Sequence, residues 1–227
     1  MAMNIPRALE RYPLGTKLDG ERWAATDRER GRDVTVTRVA FGPERREQRD
    51  ALVERVRSLF SVNSPALVAA LDAGAWEDDA FVVEERVVEP KPIGEADLDA
   101  HEKALAARAI ADGIAALDAA AWAVPSFDVV IDAYRQPRIA IALHAERAET
   151  ANRDTELARL TSIVRELVPN APTATSASAL AKAIDVPAGG PSTPLVRASA
   201  PARSPWIWGL LALGLALALG LALVLGR

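Results

Sequence analysis

Three acidic clusters are the first candidates for chemistry in this 227-residue chain: Asp78-Asp79, Glu84-Glu85, and Glu146 with Glu149. Two carboxylates at a suitable separation can serve as acid and base in hydrolysis. Adjacent acids in turns more commonly form solvated faces, and these clusters are expected to be surface features. His101 and His144 are the only histidines, and there is no cysteine. Disulfides, thiolate metal sites and a cysteine nucleophile are therefore excluded. A histidine zinc site or a Ser/His/Asp triad would have to recruit one of two residues far apart in sequence, and both are read as partly exposed surface side chains. The net charge of −4 offers no basic field for nucleic acid. No cofactor or metal is implied.

The elements that would position such residues follow from hydrophobic period. Residues 12–18, 23–26 and 34–41 read as strands, with Val34 and Val36 alternating against Thr35 and Thr37. Gly20 supplies one turn, and the charged run 27–33 around Gly31 supplies the next. Leu52, Val53, Val56, Leu59 and Phe60 mark one buried face of a helix over 44–60. Strands are expected at 67–71 and 80–88, joined through Gly74 and the acidic turn 77–79. The second half turns helical. An alanine-rich helix is expected over 97–121, a hairpin at 128–132 and 138–143, and helices at 154–167 and 176–184. The fold class is α+β.

This order, with its local phrases, resembles a bacterial serine/threonine protein kinase domain. "RYPLGTKLDG" (11–20) looks like the family's first strand, and "GRDVTVTRVA" (31–40) like its third. "SPALVAALDAGAWEDDAFVVEE" (64–85) is similar to the passage from the end of helix C to the hinge. "PSFDVVIDAYRQPRIAIAL" (125–143) is similar to the end of the catalytic loop and the hairpin after it. "DTELARLTSIVREL" (154–167) resembles helix F, and "APTATSASALAKAI" (171–184) the last helix. The resemblance implies a bilobal fold, with a small β-rich lobe carrying one helix and a reduced helical lobe.

It also implies where the catalytic parts should be, and each has changed. Phosphoryl transfer needs a loop cradling phosphates, a lysine on them, oxygens holding magnesium and an aspartate orienting the hydroxyl. Only Asp19-Gly20-Glu21-Arg22 stands where the glycine-rich loop belongs. The strand lysine position falls on Thr37, and neighbouring Arg38 points to the opposite face. The helix C glutamate position falls on Arg55, with Glu54 about 100° away around the helix. Between Leu117 and Pro125 there is no room for the HRD segment. Asp128 falls where a magnesium-binding asparagine would be, and Ile141-Ala142-Leu143 replace DFG. One oxygen ligand alone does not hold magnesium on a nucleotide. Glu84 takes the usually apolar position before the hinge, an unfavourable place for an anion facing a nucleotide. The stretch from Leu143 to Asp154 is too short for an activation segment with APE, and Ala171 stands where its arginine partner belongs. The expectation is a shortened pseudokinase with no catalytic residues.

The C-terminal part has a different composition. Residues 186–205 are rich in Pro, Ala, Ser and Gly and read as a flexible linker behind a domain over 8–185. Residues 206–226 are uncharged and almost wholly apolar, about 32 Å of helix, which matches a bilayer core. Trp206 and Trp208 suit an interfacial anchor, while Trp23, Trp76 and Trp122 are read as core or half-buried packing. Small residues recur every fourth position of the span, a spacing that alternation with leucine produces by itself. Residues 1–30 are too charged for an export signal, so a tail anchor is expected. Arg197 and Arg203 precede the span and Arg227 follows it, which puts the domain in the cytoplasm, at a bacterial inner membrane. The leading expectation is an inactive, membrane-tethered signalling scaffold that binds a cytoplasmic protein. The alternatives are an atypical kinase or nucleotide-binding phosphotransferase, and a small α+β membrane-anchored domain unrelated to kinases.

Overall fold

Three strands open the fold: β1 (Leu14–Lys17), β2 (Arg22–Asp27) and β3 (Arg32–Val39). The computed structural model describes residues 7–148 and 153–187. Gly20 and Gly31, at φ of 45° and 62°, make the two tight turns, a backbone region that only glycine enters freely. Helix α1 (Arg46–Ser58) follows, then β4 (Leu67–Val68), β5 (Ala70–Trp76) and β6 (Asp79–Glu85). The first sheet is antiparallel with strand order β1-β2-β3-β6-β5.

Alternation decides what each face of this sheet does. Val34, Val36, Phe81 and Val83 join Leu9, Tyr12, Trp23 and Trp76 in a separate small core on one face. On the other face Ala80 and Val82 belong to the main core, where Leu52, Val53 and Val56 of α1 pack on β5 and β6. Glu84 continues that second row.

Two details differ from the pattern read in sequence. The first strand starts at Leu14, because Tyr12 leaves a short 3-10 turn and its buried ring sends the hydroxyl to Asp72 at 3.0 Å. The hairpin turn lies at Glu77-Asp78, with Glu77 at φ 56°, and Gly74 sits inside β5. A Cβ at Gly74 would come within 2.7 Å of the buried Phe81 ring, so the glycine serves packing and not the turn.

The remaining elements build a second layer. After β7 (Lys91–Pro92), α2 (Ala100–Ala119) starts three residues later than expected, at a capping box. Asp99 accepts from the Glu102 amide at 2.8 Å, and Glu102 accepts from the Asp99 amide at 2.9 Å. Then come β8 (Trp122–Ala123), β9 (Val129–Ile131), β10 (Pro137–Ala140), β11 (Glu146–Arg147), α3 (Arg153–Leu167) and α4 (Ala177–Ala183). The second sheet runs β4-β10-β9-β7, and β8 pairs with β11. Helices α3 and α4 pack on α2 through Leu160, Ile163, Val164 and Leu180.

The fold is thus α+β, with a β-rich N-terminal part followed by several helices. Trp23, Trp76 and Trp122 are buried, as expected. The expected span at 206–226 and residues 188–205 of the expected linker lie outside the described residues. No helix among the described residues is long and apolar enough to cross a membrane.

The β2–β3 turn carries the best-satisfied charge in the fold. Asp27 is fully buried and receives both arms of Arg11, Nε and Nη2, at 2.8 Å. The hydrogen bond from Arg11 lowers its pKa to about 2, against the opposing effect of burial, and the amides of Arg30 and Glu29 assist. A depressed carboxyl contributes stability that is full above its ordinary value of 3.8 and is lost as pH falls through about 2. Asp27→Asn should therefore cost about 2 kcal/mol at pH 7 in chemical denaturation. The difference from the parent should shrink steadily below pH 3.8.

Candidate functional site

A cavity of about 470 Å³ opens between the two sheets. Thr35 and Glu84 stand directly opposite each other in the β3–β6 ladder, so both side chains leave the same face of the first sheet and both line it. Leu18 closes this side. Val130 of β9 and Ala140 of β10 form the facing wall. The segment that links the layers, Glu85 to Pro90, runs along one edge.

Helix α3 positions the rest of the floor. Glu156, in its first turn, accepts the Val124 amide at 2.5 Å. Arg159, one turn later, donates to the Phe127 carbonyl at 3.2 Å and to the Asp128 carboxylate at 3.1 Å. The short segment after β8 is thereby held where Ser126, Phe127 and Asp128 face the cavity. Burial raises the pKa of the Glu156 carboxyl, with the Val124 amide opposing and Asp118 adding to the rise.

The electrostatics of the cavity are lopsided. Asp19, Glu84, Glu85, Glu89 and Asp128 supply five carboxyls, against the three guanidinium groups of Arg22, Arg86 and Arg138. The cations are already engaged: Arg22 with Asp19 at 3.3 Å, Arg86 with Asp33 at 4.0 Å, and Arg138 with Glu85. Glu84 is the exception among the acids. It is 94% buried, because only 6% of its surface is exposed, and its Oε1 has no hydrogen-bond partner. Burial pushes its pKa up, more than the Arg22 charge and the Ala142 amide pull it down.

Of the residues singled out from sequence, Glu84 and Asp128 come together on the cavity wall. Thr37 lies two residues along β3 from Thr35, buried beneath the sheet with an unpartnered hydroxyl, and does not reach the cavity lining. Arg55 is half-buried on α1, its Nε without a partner, and stays away from the cavity. Ile141 and Ala142 are fully buried in the main core, and Leu143 packs against it. Arg38 does point to the opposite face from Thr37, where it pairs with Asp79 and lies over the Trp76 ring.

Two of the acidic clusters are not the solvated faces expected. Glu84 is buried, and Asp79 is buried beneath the Phe41 amide at 2.8 Å and Arg38 Nε at 2.8 Å. Each belongs to β6, whose two faces are both covered, so turn-like composition at its ends misleads. Glu149 of the third cluster lies outside the described residues. His101 is half-buried and His144 is exposed, His144 on the cavity rim.

Arg22 from the loop position, Glu85 from the Glu84-Glu85 pair and His144 also line the cavity, as does Arg138, which the sequence reading passed over. Arg138 carried a signal: a buried-strand pattern with one arginine in "PRIAIA" asks for a partner carboxylate. No group of three or more potential metal ligands occurs among the described residues. Comparison with known protein families and with curated proteins gives no match for this chain.

A carboxyl with a raised pKa weakens the fold as pH rises from its ordinary value of 4.5 through the folded value, and has no such effect below 4.5. Glu84→Gln should therefore raise the melting temperature at pH 7.5. The gain should disappear at pH 4. Thermal scans of both proteins at the two pH values check it.

Proposed function

We propose that this chain is a membrane-tethered, catalytically inactive protein kinase-like domain that acts as an interaction scaffold for a cytoplasmic signalling protein. Support comes from the element order. Three antiparallel strands, one helix, the longer strands β5 and β6 and the two-residue strands β4 and β7 precede the α2 helix, a short hairpin and two more helices, close to the order expected for a small β-rich lobe and a reduced helical lobe. The cavity lies between these two parts, where such a domain would hold a nucleotide.

The observation that carries inactivity is the buried Glu84 on that cavity wall. A triphosphate entering there would meet a majority of carboxyls, cations already paired, and no lysine at Thr37. Catalysis of phosphoryl transfer is mainly positioning and charge stabilisation, and here both are wanting. The atypical-kinase reading has one observation in its favour, Asp128 on the same wall. That carboxylate is tied to Arg159, and a lone oxygen ligand is a poor magnesium site.

The test is nucleotide binding. Mg-ATP in the millimolar range should leave the melting temperature unchanged, and no phosphate should reach the protein or a generic substrate. A ligand at about 100 times its dissociation constant would add about 2.7 kcal/mol, an unmistakable shift. A shift abolished by Asp128→Ala would favour the atypical enzyme.

The tether follows from the 206–226 run and from the arginine bias around it. The full chain should stay with membranes through carbonate extraction. Protease on the cytoplasmic side should cut within 186–205 and release the domain. Recovery of the full chain in the carbonate-soluble fraction would overturn the tether, and cutting only from the opposite side would reverse the topology.

A further inference from the structure

The cavity between the sheets has the build of a ligand site whose polar centre is Glu84. It is an ordinary size for a small-molecule pocket, and its facing walls are apolar at Leu18, Val68, Val130 and Ala140. At its inner end stands a carboxyl that is more than nine-tenths buried, with one oxygen lacking any hydrogen-bond partner and no ion pair among the described residues. Buried polar groups in folded proteins are almost always satisfied, so an orphaned carboxylate oxygen at a cavity wall asks for a donor from outside the chain.

We propose that this cavity binds a small organic cation, an amidinium, guanidinium or primary ammonium group carried on an apolar body, with Glu84 as its counter-ion. The charge balance selects this class over phosphate-bearing ligands, since carboxyls outnumber guanidinium groups five to three on the lining. Arg22 is the nearest competing cation, but its side chain is about half exposed and held by Asp19, so water screens its pull on Glu84. A ligand cation seated between apolar walls is not screened in this way. Its N–H donors satisfy Oε1 while its body covers Leu18 and Val130. Amidinium and guanidinium heads suit the site, because a charged N–H can reach the unpartnered Oε1 while the carboxylate keeps its Ala142 amide. The proposal does not depend on kinase ancestry, and it uses no residue of the catalytic pattern except Glu84.

The probe is benzamidine, with benzamide as its neutral counterpart of the same shape, titrated against the full chain with thermal shift and saturation-transfer NMR as readouts. Benzamidine should bind saturably, and benzamide about tenfold or more weakly, the usual penalty for removing one partner of a charged hydrogen-bonded pair. Glu84→Gln should lower benzamidine affinity by a similar factor. Val130→Trp, which leaves Glu84 intact and fills the cavity, should abolish binding; circular dichroism verifies that each variant is folded. Equal affinity for benzamide, undiminished affinity in folded Glu84→Gln or Val130→Trp, or no saturable binding of benzamidine to the parent would each overturn the proposal. Mg-ATP, tested in parallel, bears on the pseudokinase reading alone, so the two can fail separately.

Discussion

The cavity lies where two sheets that share the main core are also joined by a short parallel ladder. Residues Leu67 and Val68 of β4 leave α1's end of the first layer and pair in parallel with Ile139 and Ala140 of β10. Two residues of ladder are a weak fastening by themselves. Arg138 reinforces it. Its side chain, only 10% exposed, reaches Glu85 at the end of β6 and the Pro65 carbonyl at 3.2 Å, while the Ile139 amide donates to Ala66 at 2.8 Å. One guanidinium thus ties the last strand of the first layer, the entry to β4 and the second sheet. The distance between Glu84 on one wall and Ala140 on the other follows from that tie.

A domain fastened this way holds a pocket whose facing side chains are set by strand register. The parts that face the cavity come from strands, where a side chain's face is fixed by period two. Thr35 and Glu84 are therefore committed to the cavity, whereas Arg38 is committed to the opposite face with Asp79 and Trp76. No rotamer change brings Arg38 round to replace a missing lysine at Thr37. The floor is fixed too, since Glu156 and Arg159 hold the Val124 to Asp128 segment from α3. What remains adaptable is the rim, where Arg22, Arg86 and His144 are partly or well exposed. An acidic interior behind a more exposed rim is consistent with the proposed binding role.

Much of this was legible in the sequence wherever period and turn chemistry agreed. The three opening strands, α1, the β9–β10 hairpin and the three later helices fall within a few residues of their expected places, because Val34 and Val36 and Leu52 to Val56 speak for one structure each, whereas the Asp99 cap that starts α2 was not read. The two-residue strands β7, β8 and β11 were not legible, being shorter than one period of any pattern. Gly74 was misread as a turn, since its reason is the Phe81 ring across the ladder. At the site, the sequence pointed to Glu84 and Asp128, but not to the depth at which Glu84 is buried or to the Arg138 tie, both of which depend on contacts between residues more than fifty positions apart. Glu156 and Val124 are 32 positions apart, and no local signal announces their hydrogen bond.

The reading of the cavity turns on Glu84 being a desolvated carboxyl with one unpartnered oxygen on its wall. The direct measurement is a carbon-13 NMR titration of the glutamate side-chain carboxyls of the ligand-free chain, with the Glu84 resonance assigned by its loss in Glu84→Gln. The resonance should titrate above the ordinary value of 4.5, as burial requires. A midpoint at or below 4.5 would mean that the carboxyl is solvated or paired, and would contradict its place as the desolvated polar centre of the cavity.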